Sequence, residues 1–90
     1  FSMDISSIAV LKSVSHLPVI VDPSHAAGRA AYVPSLAKAA IAAGADGLLI
    51  EVHPDPAQAL VDGLQSLNIP TFKKLMSELK PIAEAVGRSF

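Results

Sequence analysis

The side chains best suited to chemistry fall into two clusters and one outlier. Asp22, Ser24 and His25 form the first cluster, Glu51 and His53 the second, and Asp62 follows further along. One imidazole with two carboxylates is a mixed nitrogen and oxygen donor set that suits Mn²⁺, Fe²⁺, Co²⁺ or Zn²⁺. His25, Glu51 and Asp62 are the candidates for such a set. Glu51 and His53 are two positions apart and so share one face of a strand, which makes His53 a substrate contact or a neighbour of the ligands. Arg29 is the one basic residue in a loop of this region and the one candidate for contact with a substrate phosphate, while Ser24 is a further candidate substrate contact.

Each of these residues also has an ordinary role to be weighed. A histidine at a strand end often serves as a hydrogen-bonded structural group. Asp62 precedes Gly63 and suits a turn, Asp55 suits a helix cap, and Asp46 belongs to a helix-to-strand turn. His16 lies at the opposite end of its strand and receives no functional role, and Lys12, Lys38, Lys73, Lys74, Lys80 and Arg88 read as solvated helix faces. Glu51 is the hardest to explain away. It interrupts the apolar run LLIEV, and an unpartnered buried carboxylate costs several kcal/mol, so a cation at this point would answer its charge.

The elements that position these groups follow from periodicity and punctuation. Residues 4–15 have helical spacing through Ile5, Ile8, Leu11 and Lys12, with Ser2 or Asp4 as cap. Leu17–Val21 is a short β-branched run that suits a strand buried on both faces, and it ends at Asp22-Pro23-Ser24-His25 and a small-residue loop to Arg29. Tyr32–Ala43 reads as a helix with Pro34 in its first turn and Gly44 as its cap. Its apolar stripe is Val33, Leu36, Ala37, Ala40 and Ile41. Gly47–Val52 is the second strand, followed by a short helix over Ala57–Val61 and a loop from Asp62 to Pro70. Thr71 is expected to cap the last helix, whose stripe runs Phe72, Leu75, Met76, Leu79, Ile82, Ala83 and Val86 until Gly87, with a kink near Ser77 imposed by Pro81.

Strands alternating with helices specify an α/β fold with parallel pairing, and functional groups in such folds gather at the carboxyl ends of strands. Two strands leave both sheet edges unpaired, so the chain either self-assembles or is one piece of a larger sheet, and the second reading is preferred.

Composition narrows the class. The chain has 90 residues, of which 51% are hydrophobic and 17% charged, and its mean hydropathy is +0.47. That excludes intrinsic disorder. With 7 basic and 8 acidic residues the net charge is −1, which argues against a nucleic-acid or membrane-surface partner. No apolar run reaches the ~18 residues of a membrane span. There is no cysteine, so thiolate metal sites and thiol nucleophiles are excluded from this chain. A cytoplasmic location is the simplest expectation.

The stretches HLPVIVDPSHAAGR, LAKAAIAAGADGLLIEVHPDPAQAL and DGLQSL, in that order, resemble the C-terminal end of 3-deoxy-D-arabino-heptulosonate 7-phosphate (DAHP) synthase. The resemblance is to the subclass related to 3-deoxy-octulosonate 8-phosphate synthase, and it runs from about Asp4 to Leu67. It implies that residues 1–90 are a C-terminal fragment of a single (β/α)₈ TIM-barrel catalytic domain, with Leu17–Val21 as the seventh strand, Leu48–Val52 as the eighth, and Phe1 an interior position. It implies condensation of phosphoenolpyruvate with erythrose 4-phosphate, releasing inorganic phosphate, at the start of aromatic amino-acid synthesis. The family's divalent metal is held by an upstream Cys together with a His, a Glu and an Asp that carry over here to His25, Glu51 and Asp62. The chain departs from the family's pattern at Ala30, Val61 and Leu64. A barrel takes ~250 residues, so the fragment alone is expected to be inactive, in association with the rest of its barrel or as a homo-oligomer. The alternatives are the octulosonate sister enzyme, which uses arabinose 5-phosphate, and a catalytically silent oligomerising segment.

Overall fold

Asp4 opens the first helix by accepting the backbone N–H of Ser7 at 3.3 Å and its hydroxyl at 2.9 Å. This helix, α1, covers Ile5–Val14. The computed structural model describes residues 4–56 and 66–88, and of residues 25 and 26 the backbone alone. The elements that follow are β1 (Ile20–Val21), α2 (Pro23–Ala27), a 3₁₀ turn (Ala30–Tyr32), α3 (Val33–Ala42), β2 (Gly47–Leu48) and α4 (Ile69–Ala85). No described helix is long and apolar enough to cross a membrane. The short helix expected at Ala57–Val61 lies outside the described residues.

β1 and β2 pair in parallel, Ile20 opposite Gly47 and Val21 opposite Leu48. The strands are shorter than the apolar runs that predict them, for identifiable reasons. At the amino end, Pro18 has no N–H to donate, and the N–H of Val19 goes to the carboxylate of Asp46 at 2.8 Å. At the carboxyl end the chain leaves the ladder at Pro23 and turns at once into α2, where a loop is the sequence expectation. Proline suits the first turn of a helix, and Gly28, at φ 70°, closes it in a conformation other residues avoid.

α3 begins one residue later than its pattern suggests, because the 3₁₀ turn occupies Ala30–Tyr32. It ends at Gly44, φ 107°, with the N–H of Gly44 on the carbonyl of Ile41 and that of Ala45 on the carbonyl of Ala40, both 3.0 Å.

α4 is capped by Asn68, not Thr71: the Asn68 side chain accepts the N–H of Thr71 at 2.8 Å. Its helical hydrogen bonding continues past Pro81, so the helix is not broken there. Ser77 and Pro81 are both exposed, and a carbonyl freed by the proline meets water.

The core forms where α4 lies on α3. Leu75, Leu79 and Ala83 from α4 pack with Val33, Ala37 and Ile41 from α3, together with Ala27 and Leu67. A second small cluster, Ile8, Ala40 and Ala45, joins α1 to the other side of α3. The sheet is not covered on all sides: Ile20 is 62% and Leu49 55% exposed.

Lys12 and Arg88 do not belong to solvated faces. Both pair with Asp46, Lys12 Nζ at 2.7 Å and Arg88 through its guanidinium. A helix-surface pair of the expected solvated kind is Lys38 with Glu78, 3.1 Å apart.

Candidate functional site

The carboxyl ends of β1 and β2 carry the residues singled out by their chemistry. α2 starts directly after Asp22, so Ser24 and His25 sit in its first turn. In a parallel ladder alternate residues of one strand address the same neighbour. The N–H of Gly47 reaches the carbonyl of Val19 at 3.4 Å, and that of Leu49 the carbonyl of Val21 at 2.8 Å. The next rung would join Glu51 to residue 23, but Pro23 has already entered the helix. The hydroxyl of Ser24 takes that rung, accepting the N–H of Glu51 at 2.9 Å. Ser24 is fully buried, at 0% exposure.

The carbonyl of Glu51 is held as well. It accepts the N–H of Leu67 at 2.9 Å, and the carbonyl of Leu67 accepts the N–H of His53 at the same distance. Val52 and Leu67 thereby form a parallel bridge, anchored by Leu67, which is 2% exposed. Leu67 falls within a stretch whose sequence reads as loop, yet it pairs with the end of the second strand.

Glu51 itself is half-buried, not sealed in the interior. Among the described residues no cation pairs with its carboxylate. His53 is half-buried too, and its Nδ1 accepts the N–H of Asp55 at 2.9 Å. With Nδ1 occupied as an acceptor, the ring proton of the neutral imidazole is on Nε2. Asp55 thus contributes its N–H to a turn with His53. Arg29 is exposed just after Gly28, and its carbonyl accepts the N–H of Tyr32 at 3.1 Å.

The side chain of His25 and all of Asp62 lie outside the described residues. Of the three candidate metal ligands, only Glu51 therefore has a described side chain, and among the described residues no three His, Asp or Glu side chains gather into a metal-holding group. What the backbone establishes is that the turn bearing His25, the strand end bearing Glu51 and the segment at Leu67 are tied to one another, through Ser24 and through the bridge of Val52 to Leu67. Neither tie is read from the sequence: the ladder's spacing of 19, 21 and 23 leads to Pro23, and the hydroxyl of Ser24 takes the rung instead.

At the other end of the sheet, Asp46 accepts from Lys12, from the N–H of Val19 and from Arg88. These donors, Lys12 foremost, hold its carboxyl well below the usual carboxylate range. This cluster joins α1, β1 and the end of α4 and lies away from the residues with chemistry.

A model of the DAHP synthetase I family matches residues 1–85. The chain is 50% identical over 86 residues to a phospho-2-dehydro-3-deoxyheptonate aldolase of Thermotoga maritima, an alignment that takes in 96% of this chain and 25% of that protein. It is 39% identical over 94 residues to a 2-dehydro-3-deoxyphosphooctonate aldolase of Azoarcus sp., covering 92% of this chain and 33% of the relative. A solved structure of a truncated 3-deoxy-D-arabino-heptulosonate 7-phosphate synthase from Thermotoga maritima superposes with a TM-score of 0.94 at 49% identity, over 98% of this chain and 34% of that one. The chain thus spans between a quarter and about a third of the length of these relatives.

Proposed function

Because the chain belongs to the DAHP synthetase I family, we propose that it forms the last two β/α units of a (β/α)₈ barrel and contributes part of the active site of a metal-dependent synthase. The reaction is the condensation of phosphoenolpyruvate with erythrose 4-phosphate, releasing inorganic phosphate. The observation that carries this reading is the clamped main chain of Glu51: its N–H is tied to the turn of His25 through Ser24, and its carbonyl accepts the N–H of Leu67.

The donor set suits a divalent cation. An imidazole and two carboxylates are ligands that such ions accept, and the half-buried Glu51 has no cationic partner among the described residues. His25, Glu51 and Asp62 would hold the ion, with a further ligand supplied from elsewhere in the barrel. When bound, the ion supplies Lewis-acid polarisation of the aldose carbonyl or of an attacking water. The chain's own residues orient the reactants. His53 presents Nε2–H as a donor to substrate, and Arg29 offers a guanidinium to a phosphate.

Two phosphorylated substrates need a strongly positive pocket. Lys12, Lys38 and Arg88 are committed to ion pairs and Lys73, Lys74 and Lys80 lie exposed on α4, so the remaining phosphate-binding charge comes from the rest of the barrel. A cleft of about 450 Å³ runs beside β2, lined by Leu49, Val52, Phe72 and Met76 among others. It is an apolar seat for the preceding part of the same barrel, and the isolated chain is inactive without it.

In the intact enzyme, replacing His25→Ala is expected to abolish phosphate release and to lower bound metal. Retention of both would overturn the assignment. The similarity to octulosonate-type aldolases supports a second reading, in which the aldose is arabinose 5-phosphate. Turnover with each aldose in parallel separates the two readings, and erythrose 4-phosphate is expected to be preferred because the heptonate relative has the higher identity.

A further inference from the structure

We infer that Ser24 is a positioning residue for the metal site: its buried hydroxyl fixes the main chain of Glu51 against the turn that carries His25. The inference rests on the assignment of His25 and Glu51 as ligands, and it gives Ser24, read from the sequence as a candidate substrate contact, a role exerted through the main chain of Glu51.

The strands cannot set this geometry by pairing alone. The last backbone rung between them is Leu49 N–H to the carbonyl of Val21, 2.8 Å. Beyond it β1 has become α2, and Glu51 would lose its neighbour on that side. Ser24 Oγ restores the contact at 2.9 Å. Because Ser24 and His25 are consecutive in a helical turn and Ser24 bonds Glu51 directly, one hydrogen bond sets the separation of the two ligand-bearing backbones. Burial makes the bond demanding: Ser24 has no exposure to solvent, so water cannot easily take its place. On the other side of Glu51, Leu67 N–H holds the carbonyl at 2.9 Å, so the main chain from which the Glu51 side chain projects is gripped from two directions. Groups that orient metal ligands in this way typically contribute about 10–100-fold to metal affinity.

The experiment is Mn²⁺ binding to the intact metal-free enzyme, followed by chelator competition and by the electron paramagnetic resonance spectrum of the bound ion, in Ser24→Ala, Ser24→Thr and His25→Ala variants. Ser24→Ala is expected to weaken Mn²⁺ binding by about 10–100-fold and to broaden the spectrum. Ser24→Thr, which keeps the hydroxyl, is expected to recover most of the affinity. If Ser24→Ala does not fold, Ser24→Cys replaces it, since a thiol of similar size is a weaker acceptor and should give an intermediate loss. Unchanged affinity and spectrum in the Ala or Cys variant, with a lowered melting temperature of the metal-free protein, would overturn the proposal in favour of a purely structural serine. Retention of Mn²⁺ by His25→Ala would instead remove the ligand assignment itself, and the positioning role with it.

Discussion

Asp46 and Lys12 meet at 2.7 Å across 34 positions of sequence, and the same carboxylate accepts the N–H of Val19 and the guanidinium of Arg88. One side chain thereby ties the first helix, the start of the first strand and the end of the last helix. Asp46 is 18% exposed at its side chain, while Lys12 and Arg88 are 30% and 38% exposed. The cluster is therefore partly screened, and its value lies in the number of donors brought to one acceptor.

The pH dependence of stability should carry the mark of Asp46. Its folded-state pKa lies below the unfolded one. Its contribution is therefore complete above the ordinary carboxylate range, near pH 4, and is lost as the pH falls through the depressed folded value. Asp46→Asn is expected to melt at a lower temperature than the parent at pH 7, with the difference narrowing as the pH falls below about 4. Thermal melts of the intact enzyme across that range test it. A difference that stays constant with pH would show that the carboxylate's charge is not what the cluster uses.

The α3–α4 contact is the main apolar support of the chain. Leu75 and Leu79 are each 1% exposed against Val33, Ala37 and Ile41. Leu79→Ala is expected to cost about 2–5 kcal/mol, the usual range for a large-to-small change in a packed core. Met76→Ala, on the more exposed side of the same helix, should cost less. Chemical denaturation of both variants in the intact enzyme checks the order.

Helix positions were largely legible from spacing, because the stripe Leu75, Leu79 and Ala83 repeats at the helical period and becomes the buried face. The strands were legible as apolar runs, but not their lengths, since Asp46 and Ser24 take the terminal N–H groups of Val19 and Glu51 through contacts distant in sequence. Lys12 and Arg88 looked like solvated charges for the same reason: their partner Asp46 is 34 and 42 positions away. Of the site, the residue types and their place at the strand ends could be read directly, whereas the hydrogen bonds that connect those ends needed the fold. The cap of α4 was misplaced because Asn68 and Thr71 are both good capping types, and only the backbone direction before Ile69 selects between them.

That choice of cap is measurable. Asn68 accepts the N–H of Thr71 at 2.8 Å, so Asn68→Ala is expected to cost about 1 kcal/mol. Thr71→Ala keeps the backbone N–H that Asn68 receives and should cost less. Equilibrium unfolding of the two variants compares them, and a larger loss for Thr71→Ala would place the cap at residue 71 after all.

His53 offers a test of substrate orientation that leaves the metal ligands untouched. Its Nδ1 accepts the N–H of Asp55 at 2.9 Å, which leaves Nε2–H as the donor proposed to meet substrate. The two ring nitrogens can be replaced separately. Asn carries an oxygen near the Nδ1 position and so can keep the turn while losing the donor; Gln carries an amide nitrogen near the Nε2 position and can keep the donor while loosening the turn. A hydrogen bond to a charged group contributes about 1.5–3 kcal/mol, so His53→Asn is expected to lower kcat/KM by about 10–150-fold with bound metal unchanged. His53→Gln should retain more activity than His53→Asn. Steady-state kinetics alongside metal analysis decide the matter. If the Asn variant were the more active of the two, the turn with Asp55 would be the function of His53 and the donor role would be wrong.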